Sequence, residues 1–240
     1  MNEVEIIAGS CLAILPTIAE NSVDMVLADL PYGTTYAPWD SPIPLGPLWE
    51  LLLKVTKPKA ALVFTASQPF SSILVMSRLD LFVCEWIWDK ANAANFANAN
   101  RQPLKVHESV LVFATGQPTY NPQKTIGLVN HKQGDKAKKN ISETRRISNR
   151  VGDDLSGLKF PKSIQVVPKH SSQSPLHSTQ KPVALFAYFI RTYSNPGNLI
   201  LDCTAGSGTA GVACRLTGRR AILIDNDPKC VQIMRERLNA

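Results

Sequence analysis

Long apolar runs are absent from this sequence. No stretch approaches the roughly 18 to 20 apolar residues that a membrane-spanning helix needs. The acidic start at residues 1–5 also lacks a basic segment followed by an apolar core, the pattern that is typical of a secretory signal. We therefore expect the chain to remain in the cytoplasm.

Paired cysteines are absent as well. The five cysteines, at positions 11, 84, 203, 214 and 230, are odd in number and have none of the spacings of zinc sites or disulfide frameworks. Four of them lie within apolar stretches, which favours reduced thiols in the core. We expect neither disulfide bonds nor a bound metal.

What is present is the composition of an ordinary globular protein. The 240 residues are 44% hydrophobic and 19% charged, which excludes a disordered chain, a collagen and a coiled coil. At this length, one α/β domain that carries an insertion fits better than two large domains.

The apolar pattern alternates between strand-like and helix-like runs, as in βαβ units. Over residues 116–178 the alternation stops and five prolines interrupt the chain, which indicates an insertion that adds nothing to the sheet. We predict seven strands, at residues 4–7, 23–28, 60–65, 82–88, 109–114, 198–203 and 220–224. The predicted parts are a catalytic half at residues 1–115, the insertion at 116–178 and a cofactor-binding half at 179–240.

The net charge of +7 is concentrated in one segment. Between Lys124 and Arg150, eight basic residues oppose only two acidic ones. This pattern favours a surface arm that contacts a polyanion, although solvated loops without a partner carry such charge runs too. The residues predicted to make these contacts are Lys132, Lys136, Lys138, Lys139, Arg145, Arg146 and Arg150.

An acidic residue and a glycine turn follow a strand in the last third of the chain. Asp202 ends the strand, and Gly206 and Gly208 precede a helix that begins at Thr209. Glycines at such a turn allow a ligand to approach the backbone, and the helix N-terminus offers unpaired N–H groups. One strand later, Asp225 occupies a position where an acid commonly accepts hydrogen bonds from ribose hydroxyls. These features predict a cofactor that contains a nucleoside.

Residues 206–211 also satisfy the G-x-G-x-x-G pattern of NAD-binding proteins, which is the rival interpretation. Only 15 residues follow Asp225, too few to form a second half that holds a nicotinamide, and Asp202 would repel a pyrophosphate. S-adenosyl-L-methionine instead carries a sulfonium and an ammonium group, for which a carboxylate is favourable. We predict S-adenosyl-L-methionine as the cofactor.

An apolar strand in the first third of the chain ends in the tetrapeptide Asp29, Leu30, Pro31 and Tyr32. An exocyclic amine conjugated with its ring is a poor nucleophile, and it becomes reactive when a carboxylate and a backbone carbonyl accept its two hydrogens. Asp29 and the carbonyl of Leu30 can supply these acceptors, Pro31 fixes the backbone, and Tyr32 can stack on the ring. An ordinary turn at a strand end is the alternative.

These motifs resemble those of the amino-methyltransferases of DNA, whose catalytic tetrapeptide is Asp-Pro-Pro-Tyr or a near variant. Residues 177–182 are similar to the motif before the cofactor region, and residues 202–209 to the cofactor loop. The order of catalytic motif, target-recognition insertion and cofactor motif is that of the circularly permuted beta group. The resemblance implies a seven-stranded Rossmann-like methyltransferase sheet in which the strand near Val4 lies beside the strand near Arg220.

The resemblance also implies a function. It points to a site-specific DNA methyltransferase that extrudes a base from double-stranded DNA and methylates the N6 amino group of adenine, which the family favours over cytosine N4 when the acid is aspartate. A homodimer and a cognate restriction nuclease are further partners that the resemblance leaves open. The implied catalytic residues are Asp29, Leu30, Pro31 and Tyr32. The implied cofactor-binding residues are Asp29, Lys181, Asp202, Cys203, Thr204, Ala205, Gly206, Ser207, Gly208, Thr209, Asp225 and Asn226.

Several positions depart from the family pattern or leave their role open. Leu30 replaces a proline, which is tolerable where only the backbone carbonyl is used. Ser10 stands where family members often have aspartate, so an acidic contact to the cofactor's adenine is in doubt. Residues 86–90 and 107–113 resemble family blocks around the target base, although such strands are also found as plain core. The loop with Tyr36, Trp39 and Asp40 either closes over the base or is a fixed surface loop.

Three alternative functions remain open from the sequence. They are methylation of cytosine N4, methylation of an amino group in RNA or protein glutamine, and nucleic-acid binding without catalysis. The intact tetrapeptide and glycine turn argue against the last of these.

Overall fold

The computed structural model describes residues 3–37, 40–127, 157–168 and 180–238. It divides into two compact units, one formed by Met1–Asn121 with Ser163–Ala240 and the other by Pro122–Lys162. Ten strands lie in the described residues. They are β1 (Val4–Ala8), β2 (Val23–Asp29), β3 (Thr56–Ala66), β4 (Phe82–Ala94), β5 (Lys105–Phe113), β6 (Thr125–Ile126), β7 (Leu158–Lys159), β8 (Ile164–Val166), β9 (Leu199–Asp202) and β10 (Arg220–Asp225).

The first unit contains an eight-stranded sheet in the order β1-β10-β9-β2-β3-β5-β4-β8. The strands from β1 to β3 in this order are parallel, whereas β5 is antiparallel to both β3 and β4. The pairing of Val4 with Ala221 joins the first strand to the last, as the permuted order requires. The predicted α/β fold class is confirmed.

Helices cover both faces of this sheet, as expected for parallel strands with apolar side chains on both sides. The helices of the described residues are α1 (Cys11–Ile14), α2 (Leu45–Val55), α3 (Phe70–Ser77), α4 (Val183–Tyr193), α5 (Thr209–Thr217) and α6 (Pro228–Leu238). α4, α5 and α6 supply Phe186, Ala213 and Met234 to the core on one face. α2 and α3 supply Leu52 and Leu74 to the core on the other. The result is a three-layer α/β/α arrangement.

An eighth strand of this sheet corrects the expectation that residues 116–178 add nothing to it. β8 lies inside that segment and pairs in parallel with β4. The backbone N–H of Ile87 donates to the carbonyl of Ser163 at 2.8 Å, and that of Val167 donates to Asp89 at 3.0 Å. The three residues of β8, which lie between Pro161 and Pro168, are too few to show a strand-like alternation in the sequence. The open edge of β4 provides the hydrogen-bond partners that hold them.

In the second unit, β6 and β7 form an antiparallel pair. Most of the basic arm, including every residue predicted to contact DNA, lies outside the described residues. Within the part of the chain that the structure describes, no helix is long and apolar enough to cross a membrane.

Candidate active site

A cavity of about 400 Å³ opens at the edge of the sheet where β1, β2, β9 and β10 end. From β9 the chain continues outward to β10, and from β2 it continues in the other direction to β3, so the strand order reverses between β2 and β9. Ligands of open α/β sheets bind at such a point. The predicted site residues that line the cavity are Asp29, Leu30, Pro31, Tyr32, Lys181, Asp202, Cys203, Thr204, Ala205, Gly206, Ser207, Thr209, Asp225 and Asn226.

The two predicted motifs are in direct contact. Asp29 ends β2 and Asp202 ends the neighbouring β9. Thr204, in the turn after β9, donates a hydrogen bond from its Oγ1 to the backbone carbonyl of Asp29 at 3.1 Å. The predicted catalytic tetrapeptide and the predicted cofactor loop therefore share one site.

The carboxylate of Asp29 is held by three side chains. Its Oδ1 accepts hydrogen bonds from the hydroxyl of Tyr32 at 2.8 Å and from the hydroxyl of Thr65. Its Oδ2 accepts one from the Nζ of Lys181 at 2.6 Å. A carboxylate offers about four lone-pair sites, so these contacts fix its orientation and leave Oδ2 able to accept one more hydrogen.

Lys181 is a buried cation between two acids. Its Nζ lies 2.6 Å from Oδ2 of Asp29 and 3.4 Å from Oε2 of Glu108. Glu108 also pairs with Lys90 at 3.3 Å. Burial alone would lower the pKa of Lys181, but the charges of Asp29 and Glu108 and their hydrogen bonds outweigh it and raise that pKa. Lys181 therefore stays charged beside Asp29.

The phenol of Tyr32 stays neutral in this site. Burial raises its pKa well above the ordinary value, and the charges of Asp29 and Glu108 add to the shift. Its ring stacks on that of Phe70, with centroids 5.3 Å apart and an interplanar angle of 21°. Tyr32 is thus held at both its hydroxyl and its ring.

Asp40 holds the loop that follows the tetrapeptide. Its carboxylate accepts four backbone N–H groups, those of Tyr32, Gly33, Thr34 and Thr35, at 2.7 to 2.9 Å. Burial raises the pKa of Asp40, but the hydrogen bonds from Gly33, Thr35 and Tyr32 outweigh it and lower the pKa below its usual range. Asp40 is buried while Tyr36 is fully exposed, so the Asp40 part of this loop is fixed. Trp39 lies outside the described residues.

The turn after β9 has a backbone conformation and a packing against α6 that require glycine. Gly206 and Gly208 have φ values of 52° and 76°, which glycine adopts without strain. A Cβ at Gly208 would lie 2.8 Å from Cγ of Met234. The backbone N–H of Gly206 donates to Oδ2 of Asp225 at 2.7 Å, and Arg237 braces the turn through the carbonyl of Ser207 at 2.9 Å.

Asp202 is a buried carboxylate suited to a cationic ligand. Burial raises its pKa well above the ordinary value, a hydrogen bond from the N–H of Thr204 opposes this, and the charges of Asp29 and Asp225 add to it. A cation in the cavity would favour the ionised form. The residues therefore fit S-adenosyl-L-methionine, whose sulfonium and ammonium are cationic, better than the anionic pyrophosphate of NAD.

Several residues of the site were not predicted from the sequence. Thr65 and Glu108 carry no motif of their own, and Lys181 was predicted as a cofactor residue rather than as the partner of Asp29. The resemblance of residues 107–113 to a family block was the one signal that could have indicated Glu108.

Among the described residues, no group of three or more potential ligands could hold a metal ion, and all five cysteines are free.

Comparison with known proteins identifies the family. The model of the N6/N4 DNA methylase family matches residues 23–236. The type II methyltransferase M.HpaI of Haemophilus parainfluenzae is 25% identical to this chain and covers 98% of it and 74% of its own length. The DNA adenine methyltransferase YhdJ of Escherichia coli strain K12 is 25% identical over 98% of this chain and 82% of its own.

Solved structures share the fold. The M1.HpyAVI–SAM complex superposes with a TM-score of 0.64 and 20% identity, over 98% of this chain and 99% of that one. The PvuII DNA methyltransferase, described as cytosine-N4-specific, gives a TM-score of 0.69 and 16% identity, over 99% of this chain and 86% of that one. Since the family model matches most of its sequence, the chain belongs to the N6/N4 DNA methylase family and is an S-adenosyl-L-methionine-dependent DNA methyltransferase.

Proposed function

We propose that the enzyme methylates the N6 amino group of adenine in double-stranded DNA. The observation that carries this proposal is the position of Asp29, which ends β2, lines the cavity and accepts a hydrogen bond at its backbone carbonyl from Thr204 of the predicted cofactor loop. The acid is aspartate rather than serine, which favours adenine. The comparison proteins include enzymes named for adenine and for cytosine N4, so the proposal of adenine rests on Asp29.

In the proposed reaction, Asp29 acts as a hydrogen-bond acceptor. Its Oδ2 receives one amine hydrogen while the backbone carbonyl of Leu30 receives the other, which frees the nitrogen lone pair. Lys181, charged and 2.6 Å away, pairs with the carboxylate of Asp29, whose two oxygens serve as hydrogen-bond acceptors. The enzyme orients the amine for direct attack, the proton that the methylated nitrogen loses passes to Oδ2 of Asp29, and no cysteine is needed as a nucleophile.

The proposed cofactor residues lie around the turn after β9. Asp225 is assigned to the ribose hydroxyls, Asp202 to the cationic groups, and the backbone from Thr204 to Thr209 to close contact with the nucleoside. When bound, S-adenosyl-L-methionine supplies an electrophilic methyl group. Tyr32, backed by Phe70, is assigned to stacking on a base extruded from the duplex, because the N6 atom of a paired adenine is out of reach.

Modified bases in DNA identify the target directly. DNA from cells that express the protein should contain N6-methyladenine at one short recognition sequence, whereas DNA from cells expressing an Asp29→Ala variant should not. Mass spectrometry of nucleosides gives the base, and sequencing gives the site. Detection of N4-methylcytosine instead would replace the adenine assignment with the cytosine alternative.

The basic arm is proposed to contact phosphates, and its charge predicts a salt effect. Replacing Lys138, Lys139, Arg145 and Arg146 together with alanine should make the negative slope of log K against log salt flatter by about 3 to 4, since each phosphate contact contributes about 0.9 to its steepness. The methylated sequence should stay the same, because phosphate contacts position the protein while base contacts read the sequence.

Two lysines at the edge of the sheet opposite the cavity provide a control for this variant. Lys54 and Lys57 are exposed and lie where α2 ends and β3 begins, away from the cavity. Their double alanine variant should leave the salt slope unchanged. If the arm variant gave a line parallel to that of the wild type, the arm would be a solvated loop outside the interface.

A further inference from the structure

The hairpin between β4 and β5 projects from the same edge of the sheet as the active site. β4 runs in the same direction as β2, because β3 is parallel to β2 and the next two pairings, β3 with β5 and β5 with β4, are both antiparallel. β4 therefore ends at the edge where Asp29 lies. The connection to β5 must extend beyond that edge.

The root of this hairpin touches the catalytic site. Lys90 on β4 and Glu108 on β5 form an ion pair at 3.3 Å, and Glu108 lies 3.4 Å from Lys181, which holds Asp29. Lys105 at the start of β5 donates a hydrogen bond to Ser67, just after β3. The hairpin is thus joined to the site by charged contacts on both of its strands.

The tip of the hairpin is a compact turn. Asn95 has a left-handed backbone with φ of 69°, and its side chain accepts a hydrogen bond from the side chain of Asn98 at 2.8 Å. Phe96–Asn98 forms a short 3₁₀ helix, and the N–H groups of Arg101 and Gln102 both donate to the carbonyl of Asn98. Hydrogen bonds therefore hold the backbone of this turn.

This ordered tip presents an aromatic ring to solvent. Phe96 is 67% exposed and is followed by polar and basic side chains. Residues 90–107 contain no acidic residue. The amides and cations of this segment are Lys90, Asn92, Asn95, Asn98, Asn100, Arg101, Gln102 and Lys105. An exposed ring among hydrogen-bond donors and positive charges suits a nucleic acid, which offers stacking faces and phosphates together.

We propose that the tip of this hairpin contacts DNA beside the extruded base, with Phe96 inserted against the base stack. The tip begins four or five residues beyond Lys90, at most about 13 to 17 Å for fully extended residues, which is a reach of a few base pairs. The left-handed backbone of Ala91 and the register shift between Asp89 and Ala94 shorten this distance. Apolar side chains inserted between base steps favour unstacking. Phe96 therefore lowers the cost of extruding the target, and Arg101 contacts a neighbouring phosphate. This inference rests on the proposed extrusion of the base.

The test compares a paired target with a weakly paired one. On a duplex with the normal partner base, Phe96→Ala should lower the methylation rate about ten- to hundredfold, the range for loss of one base–aromatic contact. On the same duplex with an abasic site opposite the target, extrusion costs less, and the variant should recover to within about threefold of the wild type. The fluorescence of 2-aminopurine at the target should rise less with the variant than with the wild type.

Leu216→Ala is the matched control, because Leu216 on α5 is 66% exposed and lies outside the hairpin. It should leave both rates unchanged. Equal losses for Phe96→Ala on both substrates, or no loss, would overturn the proposal. If such equal losses came with a change from dimer to monomer in sedimentation, the tip would instead be a contact between two copies. The methylated base made by the wild type is identified first. If that base is cytosine, the abasic site is placed opposite the target cytosine, and the same comparison of paired and weakly paired targets applies.

Discussion

Replacing Asp29 with alanine should lower the rate of methyl transfer by about 10²- to 10⁴-fold, the usual range for a positioned proton acceptor. The variant loses the oxygen proposed to receive an amine hydrogen and leaves Lys181 without the nearer of its two acidic partners. Single-turnover measurement with labelled S-adenosyl-L-methionine gives this rate directly. The affinity for the cofactor should stay within about tenfold, because the loss falls mainly on the transition state.

Two further variants sharpen this test. Asp29→Asn keeps the shape but points an amide N–H₂ either at Lys181 or at the hydroxyls of Tyr32 and Thr65, so it should be nearly as inactive as alanine. Asp24→Ala removes the same charge near the start of β2, where Asp24 pairs with Lys57 at 2.7 Å, and should keep near-normal activity per folded molecule. A rate for Asp29→Ala within tenfold of the wild type would remove Asp29 from the catalytic role.

The sequence allowed prediction of the parts of the site that depend on strand order. Because parallel strands end at a common edge, acids at the ends of β2 and β9 could be expected to meet once the two strands were placed side by side. Asp29 and Asp202 do line one cavity. The glycine turn could also be predicted, since the positive φ values at Gly206 and Gly208 are a property of the residue type.

The charge network around Asp29 could not be predicted in the same way. Thr65, Glu108 and Lys181 are separated from Asp29 by 36, 79 and 152 positions, and no local pattern links them. Their contact depends on the order β2-β3-β5-β4 and on α4, which follows Lys181. Single charged residues on apolar strands gave no sign of which of them would be buried together.

This network also explains how the half-buried carboxylate of Asp29 is stabilised in the cavity. Asp29 and Glu108 alternate with Lys181 and Lys90, so each of these four charges has a partner of opposite sign. The amine of the target base is neutral and adds no charge. The amine can therefore replace solvent at Asp29 without changing the net charge of this network.

Asp40 is expected to have the second largest effect, through the position of Tyr32 rather than through contact with the amine. Asp40→Ala removes the acceptor of four backbone N–H groups and should lower the methyl-transfer rate about 10²-fold, because displacements of about 1 Å at a reacting centre have effects of this size. The free energy of unfolding should fall by about 1 to 3 kcal/mol, because four hydrogen bonds from half-buried and exposed residues to a charged acceptor are lost. Unfolding in urea measures this free energy.

The carboxylate geometry makes the conservative variant informative. Oδ1 of Asp40 accepts hydrogen bonds from the backbone N–H groups of Tyr32 and Gly33, while Oδ2 accepts those of Thr34 and Thr35. Asp40→Asn keeps one acceptor oxygen, so it should recover part of the rate lost in Asp40→Ala. The matched control is Asp80→Ala, which removes an exposed carboxylate paired with Arg78 and should change neither rate nor stability appreciably.

The pH dependence of stability provides an independent check on Asp40. Because the folded pKa lies below the usual value of about 4, the stabilisation by this carboxylate is fully present above pH 4 and is lost as the pH falls through the folded pKa. The stability difference between the wild type and Asp40→Asn should therefore be constant from about pH 5 to 8 and shrink only below about pH 4. If Asp40→Ala matched Asp80→Ala in rate and in unfolding free energy, the four hydrogen bonds would have no part in holding the catalytic loop.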